Sequence, residues 1–408
     1  MTPLAEGPGA EGVGLVQTQY VELFTEEALQ LVGGETLSNI TVAHETYGEL
    51  NEAGDNAVYI CHALTGDAHA AGWHEGARRP GWWDNLIGPG RPIDTNRWFV
   101  VCSNLLGGCS GTTGPGSTNP ATGRPWGLDF PLLDISDFVE VHRALGAHLG
   151  VRRWHAVVGG SMGGMQALDW SLRYPEEMCN AAVIASSSRL TAQNIAFSAV
   201  GRAAIMRDEN FHGGQFAAAG ENPDVGLAIA RMMAHITYTS EEGFQEKFGR
   251  RSQFEDSQRG FGVDFAVESY LQHQGEVFLS RFDALSYLYL TRVMDYFDPF
   301  ARPEALSLVQ EHPVSYLVVS FDTDWRFSTG HSRRIVRELE RGQLPVTFRD
   351  IRSPWGHDSF LLEVPIYHDT VRAFLECESA SHPHAHRSGR PAKNSASPLR
   401  SSKNQEVA

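Results

Sequence analysis

Trp154-His155-Ala156-Val157-Val158-Gly159-Gly160-Ser161-Met162-Gly163-Gly164 is the stretch whose reading decides the fold. Its first five residues form a short apolar run, rich in β-formers and long enough for a buried strand. After the glycines, Gly163–Arg173 is a helical window that closes at Tyr174-Pro175. Between strand and helix stands G-x-S-x-G, the pattern of a nucleophile elbow. The serine backbone there is strained and its neighbours crowd it, so glycine is needed on both flanks. The turn lifts the Ser161 hydroxyl above the sheet and leaves the Met162 N–H at a helix start, where it can face an oxyanion.

Outward from the elbow, short apolar runs alternate with polar or helical windows. Residues 40–46, 57–62, 98–102, 154–158 and 181–185 read as strands, and residues 137–149 and 163–173 as helices between the later ones. That alternation implies a mainly parallel α/β sheet. From Ser188 to about Phe300 the texture turns to Ala, Met, Gln and aromatic residues without a convincing strand, which reads as a helical lid inserted into the sheet domain. Strand patterns return at 315–320 and 346–351, and a closing helix at 367–377. The expected organisation is a loose segment over 1–16, a discontinuous catalytic domain over 17–187 and 301–378, a helical lid over 188–300, and a disordered tail over 379–408. Gly7-Pro8-Gly9-Ala10-Glu11-Gly12 spells G-x-G-x-x-G, but no strand pattern precedes it, so no dinucleotide site is expected.

The bulk numbers narrow the class. At 408 residues and 42% hydrophobic content the chain can bury a large core. The formal charge of −16 argues against nucleic acid. The acidity belongs to the body, because residues 382–408 carry five Lys/Arg against one Glu and leave −20 for the remainder. No stretch approaches the roughly 20 apolar residues that span a bilayer, and the N-terminus lacks the pattern of a secretory signal. Five cysteines without C-x-x-C spacing suit a reducing cytoplasm.

A serine needs a base to become nucleophilic, and that base needs an orienting acid. In an α/β-hydrolase sheet the chain order is Ser, then Asp or Glu, then His. Two loops that leave the C-terminal ends of late strands meet it: Phe321-Asp322-Thr323-Asp324-Trp325 and Ser353-Pro354-Trp355-Gly356-His357-Asp358. His357 is the expected base, and Asp322 and Asp324 compete evenly for the acid. His62-Ala63-Leu64-Thr65-Gly66 sits where such folds donate a second oxyanion N–H. Neither His62, His69, His74 and Glu75 nor the tail histidines have the spacing of a zinc site, so no metal is expected.

Taken together, these residues resemble the homoserine O-acyltransferases of the MetX type, within the α/β-hydrolase superfamily. The likeness runs from about Tyr47 to Phe374. It rests on His62-Ala63-Leu64-Thr65-Gly66-Asp67-Ala68-His69, Gly81-Trp82-Trp83-Asp84, Gly88-Pro89-Gly90, Ser103–Cys109 with Gly111–Pro115, Gly159–Gly164, Ala234-His235-Ile236-Thr237-Tyr238 and Gly356–Leu361. The resemblance implies Ser161 as nucleophile, His357 as base and Asp324 as acid. It further implies oxyanion N–H groups from Leu64 and Met162, Arg231 on the substrate carboxylate and Asp358 on its ammonium. The implied reaction is ping-pong acyl transfer from acyl-CoA to L-homoserine in methionine biosynthesis, by a cytoplasmic homodimer with no bound cofactor. Acetyl-CoA is the expected donor, because acetyl transfer is the family's commonest activity. The alternatives are succinyl transfer to homoserine or serine, and more remotely ester hydrolysis. Arg326 stands where many acetyl-transferring relatives carry an apolar residue and some succinyl-transferring ones an arginine. Facing the acyl pocket it would neutralise a succinyl carboxylate; facing solvent it would say nothing.

Overall fold

In the computed structural model, residues 12–254 and 260–377 are described. The expected tail, and most of the segment read as loose, lie outside them. Eight strands form one sheet: β1 (Gln19–Leu23), β2 (Ile40–Tyr47), β3 (Ala57–Cys61), β4 (Phe99–Ser103), β5 (Trp154–Gly160), β6 (Met178–Ile184), β7 (Ser315–Phe321) and β8 (Val346–Ile351). Their spatial order is β1-β2-β4-β3-β5-β6-β7-β8. β1 and β2 pair antiparallel, as do β2 and β4, and every other neighbouring pair is parallel.

The central strands are apolar at nearly every position because both faces of the sheet are covered. Alternate residues serve opposite cores. Tyr59 and Val157 join the core under α1 (Ile135–His148) and α2 (Met162–Arg173), while Val58, Ile60, Ala156 and Val158 join the one on the other face. Asp134 caps α1 through a capping box with Asp137, a device that contributes roughly 1 kcal/mol.

Two differences from the sequence reading stand out. β1 was not foreseen: Gln19–Leu23 is largely exposed, so it lacks the apolar run by which the inner strands are recognised. The end of the segment read as loose is also pinned. Val16 N–H donates to Trp73 O at 2.9 Å, and Trp73 N–H returns a bond to Gly14 O at 2.9 Å.

The lid is helical as expected, with α3 (Ala192–Met206), α4 (Asp224–Tyr238), α5 (Ala266–Leu279) and α6 (Ala284–Tyr296) as its main elements. Arg202 and Asp295 tie α3 to α6 at 2.6 Å. The end of α4 meets the loop before His357 so closely that a Cβ on Gly356, whose φ is +66°, would lie 2.6 Å from Ser240 N. After β7 the chain forms α7 (Thr329–Arg341), and α8 (Pro365–Glu376) closes the fold. Among the described residues no helix is long and apolar enough to cross a membrane.

Candidate active site

Ser161 holds φ +58° and ψ −122°, a region that L-residues rarely occupy. The glycines beside it make the turn sterically feasible. A Cβ on Gly159 would lie 2.1 Å from Gly163 O, and one on Gly163 only 1.9 Å from Cys61 O. On Gly160 a Cβ would meet the Phe360 ring at 2.4 Å. Hydrogen bonds hold the strained residue on both sides: Ser161 N–H donates to Ile184 O at 2.9 Å, and Ser186 Oγ–H to Ser161 O at 2.6 Å.

The two late loops converge on this serine. His357 Nε2 lies 2.9 Å from Ser161 Oγ, and its Nδ1 lies 2.7 Å from Asp324 Oδ2. Asp324 is buried, and its other oxygen accepts from Phe327 N–H at 2.9 Å. Asp322 does not reach the histidine. Its Oδ1 accepts from Ser353 N–H at 2.9 Å and ties the two loops together. The geometry therefore selects between carboxylates that the residue pattern had left even. This is the arrangement of an activated hydroxyl, with the tautomer of the base fixed by the acid.

Ser161, His357, Leu64, Arg231 and Asp358 line one small cavity of about 120 Å³ with His235, Tyr238 and Phe360. Met162 opens α2, so its N–H is among those a helix leaves without an internal partner. The loop carrying Leu64 is held by His62, whose Nδ1 lies 2.7 Å from Ala63 O while Nε2 accepts from Leu105 N–H at 3.1 Å. Burial pushes the pKa of His62 down, which keeps this imidazole neutral and able to accept.

Arg231, His235 and Tyr238 share one face of α4. Arg231 Nη1 is buried without a hydrogen-bond partner, and its guanidinium lies 4.6 Å from the Phe278 ring centroid. His235 Nε2 is also buried and unpartnered. Burial, then the charge of Arg231, presses the His235 pKa down to about 3. Across the cavity, burial raises Asp358 to about 6, against the pull of His357 and Arg231. An unpaired cation and a carboxylate thus flank the serine, the pairing that an amino acid's own two charges require. The sequence reading passed over His235 and Tyr238 as site residues. The i, i+4, i+7 spacing from Arg231 was the signal that marked them.

Arg326 does not face solvent. It is buried, donates to Thr237 Oγ1 at 3.4 Å, and lies 6.0 Å from the Tyr238 ring centroid. Among the described residues no carboxylate comes within 4.0 Å of it.

The histidines weighed as metal ligands do not gather with His62 or Glu75. His69 Nδ1 and His74 Nε2 instead meet the buried Glu45 at 3.0 and 2.7 Å. These three form the one group among the described residues whose ligand atoms lie within 4.8 Å of one another, and they could hold a metal. Each Glu45 oxygen already accepts a second bond at 2.9 Å, one from Thr18 and one from Tyr47. These bonds satisfy both Glu45 oxygens and brace the chain just beyond the Leu64 loop, while His69 Nε2 is buried without a partner.

Comparison with known proteins agrees with this geometry. Residues 56–364 match the family model described as alpha/beta hydrolase fold. A Nocardioides sp. protein named homoserine O-succinyltransferase is 54% identical over 364 residues, covering 89% of this chain and 99% of that one. The chain belongs to the homoserine O-acyltransferase family. Within it, a Rhodospirillum rubrum protein named homoserine O-acetyltransferase is 50% identical over 361 residues, covering 88% and 92%. The crystal structure of homoserine O-acetyltransferase from Bacillus anthracis superposes with a TM-score of 0.83 at 25% identity, covering 90% of this chain and all of that one. Esterase E22 superposes with a TM-score of 0.81 at 28% identity over 88% of this chain. Relatives in this fold therefore carry both transferase and esterase names.

Proposed function

We propose that this protein transfers an acyl group from acyl-CoA to the hydroxyl of L-homoserine, in methionine biosynthesis, through an acyl-serine intermediate. The observation that carries this reading is the unpartnered, buried Arg231 Nη1 lining the same cavity as Ser161 and His357. An esterase has no need of a fixed cation there, whereas an amino-acid acceptor brings a carboxylate that a guanidinium can hold bidentately.

His357 takes the Ser161 proton as Oγ attacks the thioester carbonyl, and Asp324 holds the imidazolium that forms. The N–H groups of Met162 and Leu64 receive the negative oxygen, the C–S bond breaks, and CoA leaves as its thiol with the proton from His357. Homoserine then enters with its carboxylate on Arg231 and its ammonium on Asp358. Its hydroxyl passes a proton to His357 and attacks the acyl-serine carbonyl; the acyl–Oγ bond breaks, Ser161 takes the proton back from His357, and O-acyl-homoserine leaves. The lid helices cover the serine and keep water from competing.

The donor in this reading is succinyl-CoA. Arg326 is a buried guanidinium with one long hydrogen bond and no carboxylate partner, and a succinyl chain would supply that carboxylate. The relative from Nocardioides bears the succinyltransferase name. Acetyl-CoA, the donor expected from the family's commonest activity, remains the second reading, favoured by the small cavity and the Rhodospirillum rubrum relative. A homodimer seated through the lid belongs to the same proposal, because α4 exposes Val225, Ile229 and Ile236.

The test supplies each acyl-CoA with homoserine or serine and follows free CoA. Faster turnover with succinyl-CoA and homoserine is expected. Arg326→Leu should lower kcat/KM for succinyl-CoA by about 30-fold or more, and that for acetyl-CoA little. Equal losses with both donors would remove Arg326 from donor recognition. CoA release independent of any acceptor would make the protein an esterase.

A further inference from the structure

A second cavity, of about 530 Å³, adjoins the serine cavity through Thr65, which lines both. Arg78, Arg79 and Arg281 line it, together with Asp67 and Ser110. Three guanidinium groups in one recess are unusual for a chain of formal charge −16. Among the described residues none of the three has a carboxylate within ion-pair distance, and the single carboxylate in the recess, Asp67, accepts from His69 N–H at 3.0 Å. Three arginines thus face one carboxylate, and that carboxylate is not ion-paired with any of them.

Arg281 connects the recess to the chemistry. Its Nη2 donates to Thr65 O at 2.7 Å, one residue beyond Leu64. Desolvation first, then the charge of Arg231 and more weakly that of Arg79, press its pKa down against the pull of Asp67 and Cys109. Positive charge therefore runs from beside Ser161 to the surface through Arg231, Arg281 and Arg79.

We propose that this arginine recess binds the phosphates of the acyl-CoA nucleotide and so docks the donor with its thioester at Ser161. The proposal rests on the acyl-CoA reading above. Guanidinium groups match phosphate oxygens with paired N–H donors. A local positive field in an acidic body also raises the encounter rate of an anionic donor and repels little that is useful. Arg78 and Arg79 follow Gly76 on an exposed loop, so they can close on phosphates without moving the sheet.

The test compares three donors bearing whichever acyl group the enzyme accepts: acyl-CoA, acyl-dephospho-CoA and the phosphate-free acyl-pantetheine. The wild type should favour acyl-CoA over acyl-pantetheine in kcat/KM, and less so as salt rises. In the Arg78→Gln/Arg79→Gln double variant that ratio should fall roughly three- to thirtyfold, through KM rather than kcat. Dephospho-CoA divides the contribution between the 3′-phosphate and the diphosphate. Arg281→Lys, which keeps a donor for Thr65 O, should lower the same ratio.

A wild type that uses acyl-CoA and acyl-pantetheine equally well would overturn the recess while leaving the acyltransferase reading intact. A double variant that slows both donors alike would do the same, since the arginines would then act through the Leu64 loop. A wild type acylated by neither donor overturns both.

Discussion

The serine cavity has two walls built on opposite principles. On the sheet wall, every polar group of the reacting apparatus is already engaged: Ser161 Oγ to His357, His357 to Asp324, and Asp324 to Phe327 N–H. On the lid wall, Arg231 Nη1 and His235 Nε2 are buried without hydrogen-bond partners. A buried donor without a partner costs roughly 1–3 kcal/mol, more if charged. In the proposed reaction the sheet wall is ready for the chemistry before substrate arrives, while the lid wall would be satisfied only by an anionic substrate.

The largest expected effect breaks the sheet wall. Ser161→Ala should lower acyl transfer on the order of 10⁴-fold or more with the fold intact, because the hydroxyl contributes little to packing. Wild-type protein given acyl-CoA alone should carry the acyl mass on the peptide containing Ser161, and the variant should not. Near-normal turnover by the variant would sink the mechanism.

Next in size is the contrast between two aspartates two residues apart. Asp324→Asn leaves His357 without its acid and should cost about 10³- to 10⁴-fold in kcat. Asp322→Asn weakens only a tie to Ser353 N–H and should reduce activity severalfold at most, with some loss of stability. If the two variants rank the other way, the orienting acid has been misassigned.

How much of each wall is legible in the sequence follows from how local its causes are. The elbow, the strands around it and the order of Ser161 and His357 could all be read, because glycine spacing and apolar runs act over a few residues. The choice of Asp324 over Asp322 could not, since both leave β7 in one loop and only the tertiary position of His357 separates them. β1 escaped because an edge strand is exposed and carries no buried run. Arg281 and the Glu45 cluster escaped for another reason: their partners are 216 and 24 to 29 residues away, beyond any local pattern.

The lid wall is tested by Arg231→Ala. Acylation of Ser161 by acyl-CoA should proceed normally, while transfer to homoserine should weaken by roughly 2–5 kcal/mol, the cost of losing one partner of a desolvated charge pair. Rapid-mixing measurements of the two half-reactions separate these effects. Slow acylation with unaffected transfer would place Arg231 on the donor side and reverse the roles given to the two substrates.

The smallest effect concerns stability, at a place where the sheet domain behaves unlike the lid wall. Glu45 is buried yet fully satisfied, by Thr18, Tyr47, His69 and His74. Burial alone would raise its pKa, but the bonds from His69 and His74 outweigh it, and the carboxyl lies below its ordinary value of 4.5. A carboxylate whose folded pKa is depressed stabilises the fold above its unfolded pKa, and that contribution is lost as pH falls through the folded value. Glu45→Gln should therefore cost about 1–3 kcal/mol in urea unfolding at neutral pH. The gap between wild type and variant should begin to narrow below about 4.5, where the unfolded carboxylate takes up a proton, and close once the pH has fallen through the lower folded value. A gap that stays constant down to acid pH would mean that Glu45 acts by shape rather than charge, and the cluster would not be the electrostatic brace described here.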